Sequence, residues 1–322
     1  SDFHFARAFP TLSALAKASQ HMQHLAIKYE IEQMRLHSSI QGYVITEFTD
    51  VHWECNGLLN MHREPKAFIE ALPAIQADDV IVPNPERVVF WPGERCTVPV
   101  SVSHYSSVDL AQGRLTWAFE GSSALKGELR VEAPAAPSVV DAGTIAFEAP
   151  AVAVPTRARV TLDLADAGGQ QVASNEQTLY VFPRVEWSNT LRLYAPELEP
   201  ALDRLGCTLV SDLHQADLAV VNTLSDDLRL HLLGGGRVLW LAESPDFLRT
   251  NLPGLGVRQR RGQSWQGDWA SSFSWLFRDR LFADVPTDGL LDFAFAELTP
   301  DCVLTGFSPQ EFATLVHAGL TV

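Results

Sequence analysis

The chain has 322 residues, 46% hydrophobic and 20% charged, with a formal net charge of -15. That length allows two or three domains at roughly 100–200 residues each. The acidic balance disfavours non-specific binding to nucleic acid or to an anionic membrane, which needs clustered Lys and Arg against phosphate.

One short basic run, Arg258, Arg260 and Arg261, reads as a solvated loop. No apolar run approaches the ~18 residues that span a bilayer. The opening SDFHFARAFP lacks the continuous apolar core of a signal peptide and reads as the middle of a longer chain. The closing HAGLTV lacks a polar trailing end, so truncation is expected at both ends. Cys55, Cys96, Cys207 and Cys302 lie far apart with no CxxC. Free thiols in a reducing, cytoplasmic setting are the plain expectation.

Residues 12–36 are expected to form one long helix. Leu15, Ala18, Met22, Leu25, Ala26 and Tyr29 recur at spacings of three and four and mark its apolar face, with Gln20, Gln23 and Lys28 between them. An apolar run from Tyr43 to Phe48 suits a strand, followed by a loop over 49–62 and a helix from about Pro65 to Gln76. Helix, strand, loop, helix is the end of an α/β repeat. A single strand makes no sheet by itself. Residues 1–77 are therefore expected to be the C-terminal end of a (β/α)8 barrel, or else to pack on the domains C-terminal to them.

Over 78–183 the apolar period falls to two and Pro and Gly become frequent. Val98, Val100 and Val102 alternate with polar residues, as do Leu115, Trp117 and Phe119, then Val160, Leu162 and Leu164, then Leu179 and Val181. With Arg87–Trp91, Leu129–Val131 and Thr144–Phe147 this gives about seven short strands, the pattern of an immunoglobulin-like sandwich. From Arg184 strands alternate with helices: strands at Leu191–Ala195, Cys207–Ser211, Leu218–Asn222 and Arg237–Ala242, and helices at Glu197–Leu205 and Ser225–Leu233. The expectation for 184–322 is a truncated flavodoxin-like or Rossmann-like α/β domain with a parallel sheet. Residues 244–300, rich in Trp, Phe, Gly and Arg, read as a packed loop or cover.

Several groups could carry chemistry. Glu47, Asp50 and Glu54 sit at the end of the 43–48 run and in its loop, where barrel active sites are built. Residues 47 and 50 of a strand face opposite ways, so they are no ready acid/base pair. Trp53 could form a sugar platform or a pocket wall. His21 and His24, or His52, Cys55 and His62, could hold a metal, but no CxxC or HExxH supports either set. Gly234-Gly235-Gly236 follows a helix and precedes a strand, the reverse of a phosphate loop, and reads as a helix end. Cys207 starts a strand, whereas nucleophiles on such sheets sit at strand C-termini. Glu243-Ser244-Pro245 lacks the G-x-S-x-G elbow.

The stretch IQGYVITEFTDVHWECNGLLNMHREPK resembles the eighth strand, loop and helix of the catalytic barrel in glycoside hydrolase family 2, which contains β-galactosidases, β-glucuronidases and β-mannosidases. The family pattern there is roughly G-x-x-x-W-x-x-x-D, a glycine turn, then D-x-x-R-x-P-K. Gly42, Asp50, Gly57, Asn60, Arg63, Pro65 and Lys66 fall on it. Thr46 stands where many members carry a pocket-lining Trp, with Trp53 the candidate to take its place, and Asn60 stands where Asp is usual. The resemblance covers about 60 residues, including a helix like the family's seventh.

The resemblance implies the C-terminal part of a retaining β-glycosidase, with Thr46, Glu47, Asp50 and Trp53 as substrate contacts. It implies no catalytic residue in this chain, because the family's acid/base and nucleophile glutamates would precede Ser1. It implies no cofactor or metal. The implied partner is a carbohydrate substrate in the full-length protein, with no nucleic acid or membrane and with a homo-oligomer open. The alternative expectation is a non-catalytic carbohydrate-binding or subunit-assembly module, marked by exposed aromatics among Trp265, Trp269 and Trp275.

Overall fold

The structure is a computed structural model that describes residues 8–184, 191–198, 202, 207–241, 255–259, 274–279, 281–298 and 302–320. The chain divides into two compact units, the first being Ser1–Pro183, Ser271–Thr299 and His317–Thr321, the second Arg184–Ala270, Pro300–Val316 and Val322.

The first unit begins with helix α1, Leu12–Arg35. Thr11 caps it, its hydroxyl accepting from the Ala14 N–H at 3.1 Å, which satisfies one of the free donors of the first turn. The helix buries more than the one face expected. Ile31 packs with Phe68, Leu72 and Ile75, and Ile27 and Met34 extend that cluster. On another side Glu32 and Met22 are buried, whereas Tyr29 is 58% exposed. A polar node ties this side to the sandwich. Asn175 Nδ2 donates to Glu32 Oε1 at 2.7 Å and to the Ile81 carbonyl at 2.6 Å. Lys28 Nζ donates to Asn175 Oδ1 at 2.9 Å and also pairs with Glu32. Burial pushes the Glu32 carboxyl up, against the pull of Lys28 and Asn175. The far end of the helix is held by Arg35, which donates to the Ala77 carbonyl at 2.7 Å and lies 5.5 Å over the Tyr105 ring.

The run Tyr43–Phe48 is not a strand, and this corrects the sequence expectation. A strand is defined by its ladder, and no described neighbour supplies one. The backbone of 47–50 instead bonds to 58–59: the Leu58 N–H donates to the Glu47 carbonyl at 3.1 Å, Leu59 N–H to Phe48 at 3.0 Å and Asp50 N–H to Leu59 at 2.9 Å. The expected helix from Pro65 is also shorter. It resolves into a 3-10 turn at Ile69–Ala71 and a four-residue helix α2, Pro73–Gln76.

Eight strands come next: β1 Asp79–Pro83, β2 Val89–Phe90, β3 Arg95–His104, β4 Gly113–Phe119, β5 Lys126–Val131, β6 Ser138–Glu148, β7 Thr156–Ala165 and β8 Gln171–Val181. They form a β-sandwich of a three-stranded sheet, β1-β3-β6, and a five-stranded sheet, β2-β8-β7-β4-β5. The seven expected strands correspond to β2–β8. β1 went unread because all five of its residues are buried, which erases alternation. The core between the sheets contains Val98, Val100, Val102, Leu115, Ile145, Val160, Leu162, Leu164 and Leu179. In β7 the alternate residues Ala158, Val160, Leu162 and Leu164 face it, and their neighbours face water.

Asp79 fixes the first edge. Its Oδ1 meets His104 Nδ1 at 2.8 Å and accepts from the Tyr105 N–H at 3.0 Å, and its Oδ2 accepts from the Ser106 hydroxyl at 2.5 Å. Later in the chain Ser274–Leu276 pairs antiparallel with Leu290–Leu291 and with Ala318–Leu320 in this same unit. The 244–300 segment therefore contributes ordered strands where a loop was expected, together with a 3-10 turn at Phe293–Leu298.

In the second unit β9 Arg192–Tyr194, β10 Thr208–Leu209, β11 Leu218–Val221 and β12 Val238–Trp240 form an all-parallel sheet in the order β10-β9-β11-β12. Helix α3, Asp226–Leu233, links the last two; Ser225 caps it and Gly234 ends it. Gly234–Gly236 is thus a helix end and turn. The expected helix at Glu197–Leu205 lies mostly outside the described residues. A further antiparallel pair joins Gly256–Gln259 to Cys302–Thr305. Among the described residues no helix is long and apolar enough to cross a membrane.

Burial alone would raise the Asp79 carboxyl, but the hydrogen bonds from Ser106, His104 and the two backbone N–H groups outweigh it and hold it below the usual carboxylate range. A depressed folded-state value gives stability that is complete above the unfolded pKa of about 3.9 and is lost as pH falls through the folded value. Asp79→Asn is therefore expected to cost roughly 2 kcal/mol at neutral pH and to flatten the loss of stability in acid. Urea unfolding at pH 7 and across pH 2–5 measures both.

Candidate functional site

The loop at 46–66 is built around one buried cation. The Lys66 side chain is 3% exposed and its Nζ lies 2.8 Å from Asp50 Oδ1. It also donates to the Cys55 carbonyl at 2.8 Å and to Gln23 Oε1 at 3.0 Å. Three donors thus meet three acceptors, the condition under which a buried ammonium is tolerated. Asp50 Oδ1 in turn accepts from the Gly57 N–H at 2.8 Å. Gln23 reaches from α1 and donates to the carbonyls of Asn56 at 2.6 Å and Gly57 at 3.1 Å. Gln20, one turn earlier, accepts from the Ala67 N–H at 2.9 Å.

Gly57 is required by contact. A Cβ there would lie 2.5 Å from the Asp50 nitrogen and 2.6 Å from the Thr49 carbonyl carbon. The next turn is held by Asn60, whose Oδ1 accepts from the His62 N–H at 2.9 Å and the Glu64 N–H at 3.0 Å. Arg63 within it has φ 62°, an uncommon value outside glycine. Asp50, Gly57, Asn60, Arg63, Pro65 and Lys66 therefore form one scaffold.

That scaffold separates the four sequence-predicted contacts. Asp50 is turned inward, 9% exposed, and engaged by Lys66. Thr46 is exposed, and its peptide bond to Glu47 is cis. Trp53 sits at the tip of a tight turn closed by Val51 and Glu54, whose backbones exchange bonds of 3.0 and 3.2 Å. Its ring is 72% exposed and meets His52 edge-on, with centroids 4.0 Å apart. Glu47 pairs with Glu54, not with Asp50. The hydrogen bond between the two carboxyls, then desolvation and the charges of Glu54 and Asp50, push Glu47 above its ordinary value. Asn56 Nδ2 donates to Glu54 Oε1 at 3.1 Å and steadies the pair.

The preceding residues alternate although they form no ladder. Tyr43 and Ile45 pack on the cluster of Ile31, Phe68, Leu72 and Ile75, while Val44 is 90% and Phe48 71% exposed. Val44, Phe48 and Trp53 are thus the exposed apolar residues of this stretch, with Glu47 and Glu54 half-buried beside them in sequence.

The remaining candidates are dispersed. Among the described residues no three His, Cys, Asp or Glu side chains come together to hold a metal. His24 stacks on Phe68 at 5.7 Å, and burial followed by the charges of Lys28 and His21 lowers its pKa. Cys96 is buried, which pushes its thiol up to about 11, and Cys207 is partly buried beside β10. Glu243-Ser244-Pro245, Arg260, Arg261, Trp265 and Trp269 lie outside the described residues. Gln20 and Gln23, read in the sequence only as falling between the apolar positions, hold the candidate site's loop. Two glutamines three residues apart on one helix face were the available signal.

A family model described as a domain of unknown function, DUF8488, matches residues 94–183, the span of β3 to β8. No curated protein matches the chain. Among solved structures, the chain is similar over 33% of its length to the Pseudomonas fluorescens alkylpurine DNA glycosylase AlkC, at 14% identity, 31% coverage of that chain and a TM-score of 0.25. The match therefore spans less than a third of the glycosylase. A second similarity is to the fibronectin(III)-like modules of Clostridium thermocellum CbhA, at 8% identity, covering 33% of this chain and 100% of that one, TM-score 0.23. A third is to the CARDB domain of PF1109 from Pyrococcus furiosus, at 15% identity, covering 34% and 96%, TM-score 0.25.

Lys66→Met leaves the Asp50 carboxylate buried without its cation and is expected to cost about 3–5 kcal/mol. Gly57→Ala is expected to loosen the same loop, because the new Cβ displaces the Asp50 backbone. Urea midpoints give the first effect; faster amide exchange at Asp50, Leu58 and Leu59 reports the second.

Proposed function

We propose that this chain is the C-terminal part of a retaining β-glycosidase of the family 2 type, in which residues 42–66 close the catalytic barrel and form one wall of the sugar pocket. On this reading 1–77 is the end of a barrel, 78–183 an immunoglobulin-like sandwich and 184–322 a flavodoxin-like accessory domain. The observation that carries it is the loop geometry. Residues that match the family motif form a self-consistent scaffold around Lys66, and the scaffold presents Trp53 and Glu47 outward. The inward packing of Tyr43 and Ile45 and the exposure of Val44 and Phe48 give this run a two-sided alternation that supports the reading, although it forms no ladder among the described residues.

A retaining glycosidase needs two carboxyls about 5–5.5 Å apart across the scissile bond, one as acid/base and one as nucleophile. This chain is assigned neither role. Its own residues would bind and orient the sugar. The Trp53 face would pack on the C–H surface of a ring, and the Glu47 carboxylate would accept from a sugar hydroxyl. Asp50 acts through Lys66 on loop position and is withdrawn from direct substrate contact in this proposal. The non-catalytic alternative loses one of its three markers, because Trp275 is 5% exposed.

The chain alone is expected to show no turnover of aryl β-glycosides. Expressed with the sequence encoded upstream of Ser1, it is expected to cleave them, with kcat/KM reduced about 10–100-fold by Trp53→Ala. Turnover by the chain alone, or an upstream sequence without a barrel bearing two strand-end glutamates, would overturn the reading.

A further inference from the structure

The side of α1 opposite Gln20 and Gln23 borders a cavity of about 360 Å³ inside the first unit, within the ~300–1,000 Å³ range of small-molecule sites. The helix makes room by spacing. Ala14 and Ala18, four residues apart, lie on the same helical stripe and put only methyl groups toward the space. Met22, Trp275 and Leu276, all buried, supply apolar wall.

The polar groups around it are nearly balanced in charge. Arg157 Nη1 lies 3.5 Å from Asp288 Oδ2. The Tyr180 hydroxyl donates to Asp292 Oδ2 at 2.5 Å, and Lys17 adds a second cation. Two cations therefore face two carboxylates. His21 completes the rim, and burial followed by the charge of Arg157 lowers its pKa, which favours the neutral imidazole. This lining offers donors from Lys17 and Arg157, acceptors from the two aspartates and both from a neutral imidazole, with no net charge to select an ion. Uncharged hydroxyl groups, each a donor and an acceptor, on a body with C–H faces are what such a lining fits.

We propose that this cavity binds a neutral saccharide of one or two rings, at a subsite separate from the 46–54 loop. The proposal goes beyond the glycosidase reading and stands or falls without it, since it concerns binding by this chain alone.

The test is calorimetric titration of the chain with methyl β-glucoside, methyl β-galactoside, methyl β-mannoside and the matching disaccharides. Saturable binding is expected for at least one, weakened about tenfold or more, roughly 1.4 kcal/mol, by Ala18→Phe, which fills the cavity. Asp288→Asn serves as a second variant. The Asp288 side chain is 93% exposed, so its replacement is expected to leave the fold intact, which a thermal melt checks, and to weaken binding in the same direction. No saturable binding to any of these sugars would overturn the proposal. So would binding indifferent to both cavity variants, or selection of uronic acids or sugar phosphates over neutral sugars.

Discussion

The candidate site depends on one ammonium group. Lys66 is buried among an aspartate, a backbone carbonyl and a glutamine; the first two come from its own loop and the third from α1. Removing a cation from water costs several kcal/mol unless its donors are met. The arrangement is therefore specific: Asp50 must turn inward, Cys55 must present its carbonyl, and Gln23 must sit on the facing side of α1. Once these are satisfied, the turn between Val51 and Glu54 has little freedom, and Trp53 and Glu47 are left facing outward.

Helix α1 is the element that makes this arrangement part of a larger body. One side holds the loop through Gln20 and Gln23 and the cluster around Ile31. The other reaches the sandwich through Glu32, Lys28 and Asn175. A helix with two buried sides cannot show one clean apolar stripe, and its buried polar contacts are longer-range than any helical period. Single-face reading therefore left Tyr29 as a core residue when it is largely exposed.

The resemblance to a glycosidase rests mostly on residues that build the scaffold. Asp50, Gly57, Asn60 and Lys66 each have a local mechanical role visible in distances and contacts. Such residues preserve a loop shape whatever the loop recognises. Substrate specificity would lie in the outward residues, Thr46, Glu47 and Trp53. On the proposed reading, that division is why a loop motif can be legible in a sequence while the loop's ligand is not.

By itself the sequence determined what depends on near neighbours. The period of two in β3 to β8 marks a sandwich because alternate side chains must face its core. The strand and helix alternation after Arg184 marks the parallel strands β9 to β12. Ser225, Gly234 and Asn60 act on backbone only a few residues away. Tertiary structure decided the rest. Residues 43–48 alternate like a strand, yet a strand needs a partner ladder, and none is given within the described residues. Asp50 looked like a ligand-facing carboxylate until Lys66, sixteen positions on, drew it inward. Pairing a buried charge is a long-range requirement, and no local pattern records which partner will meet it.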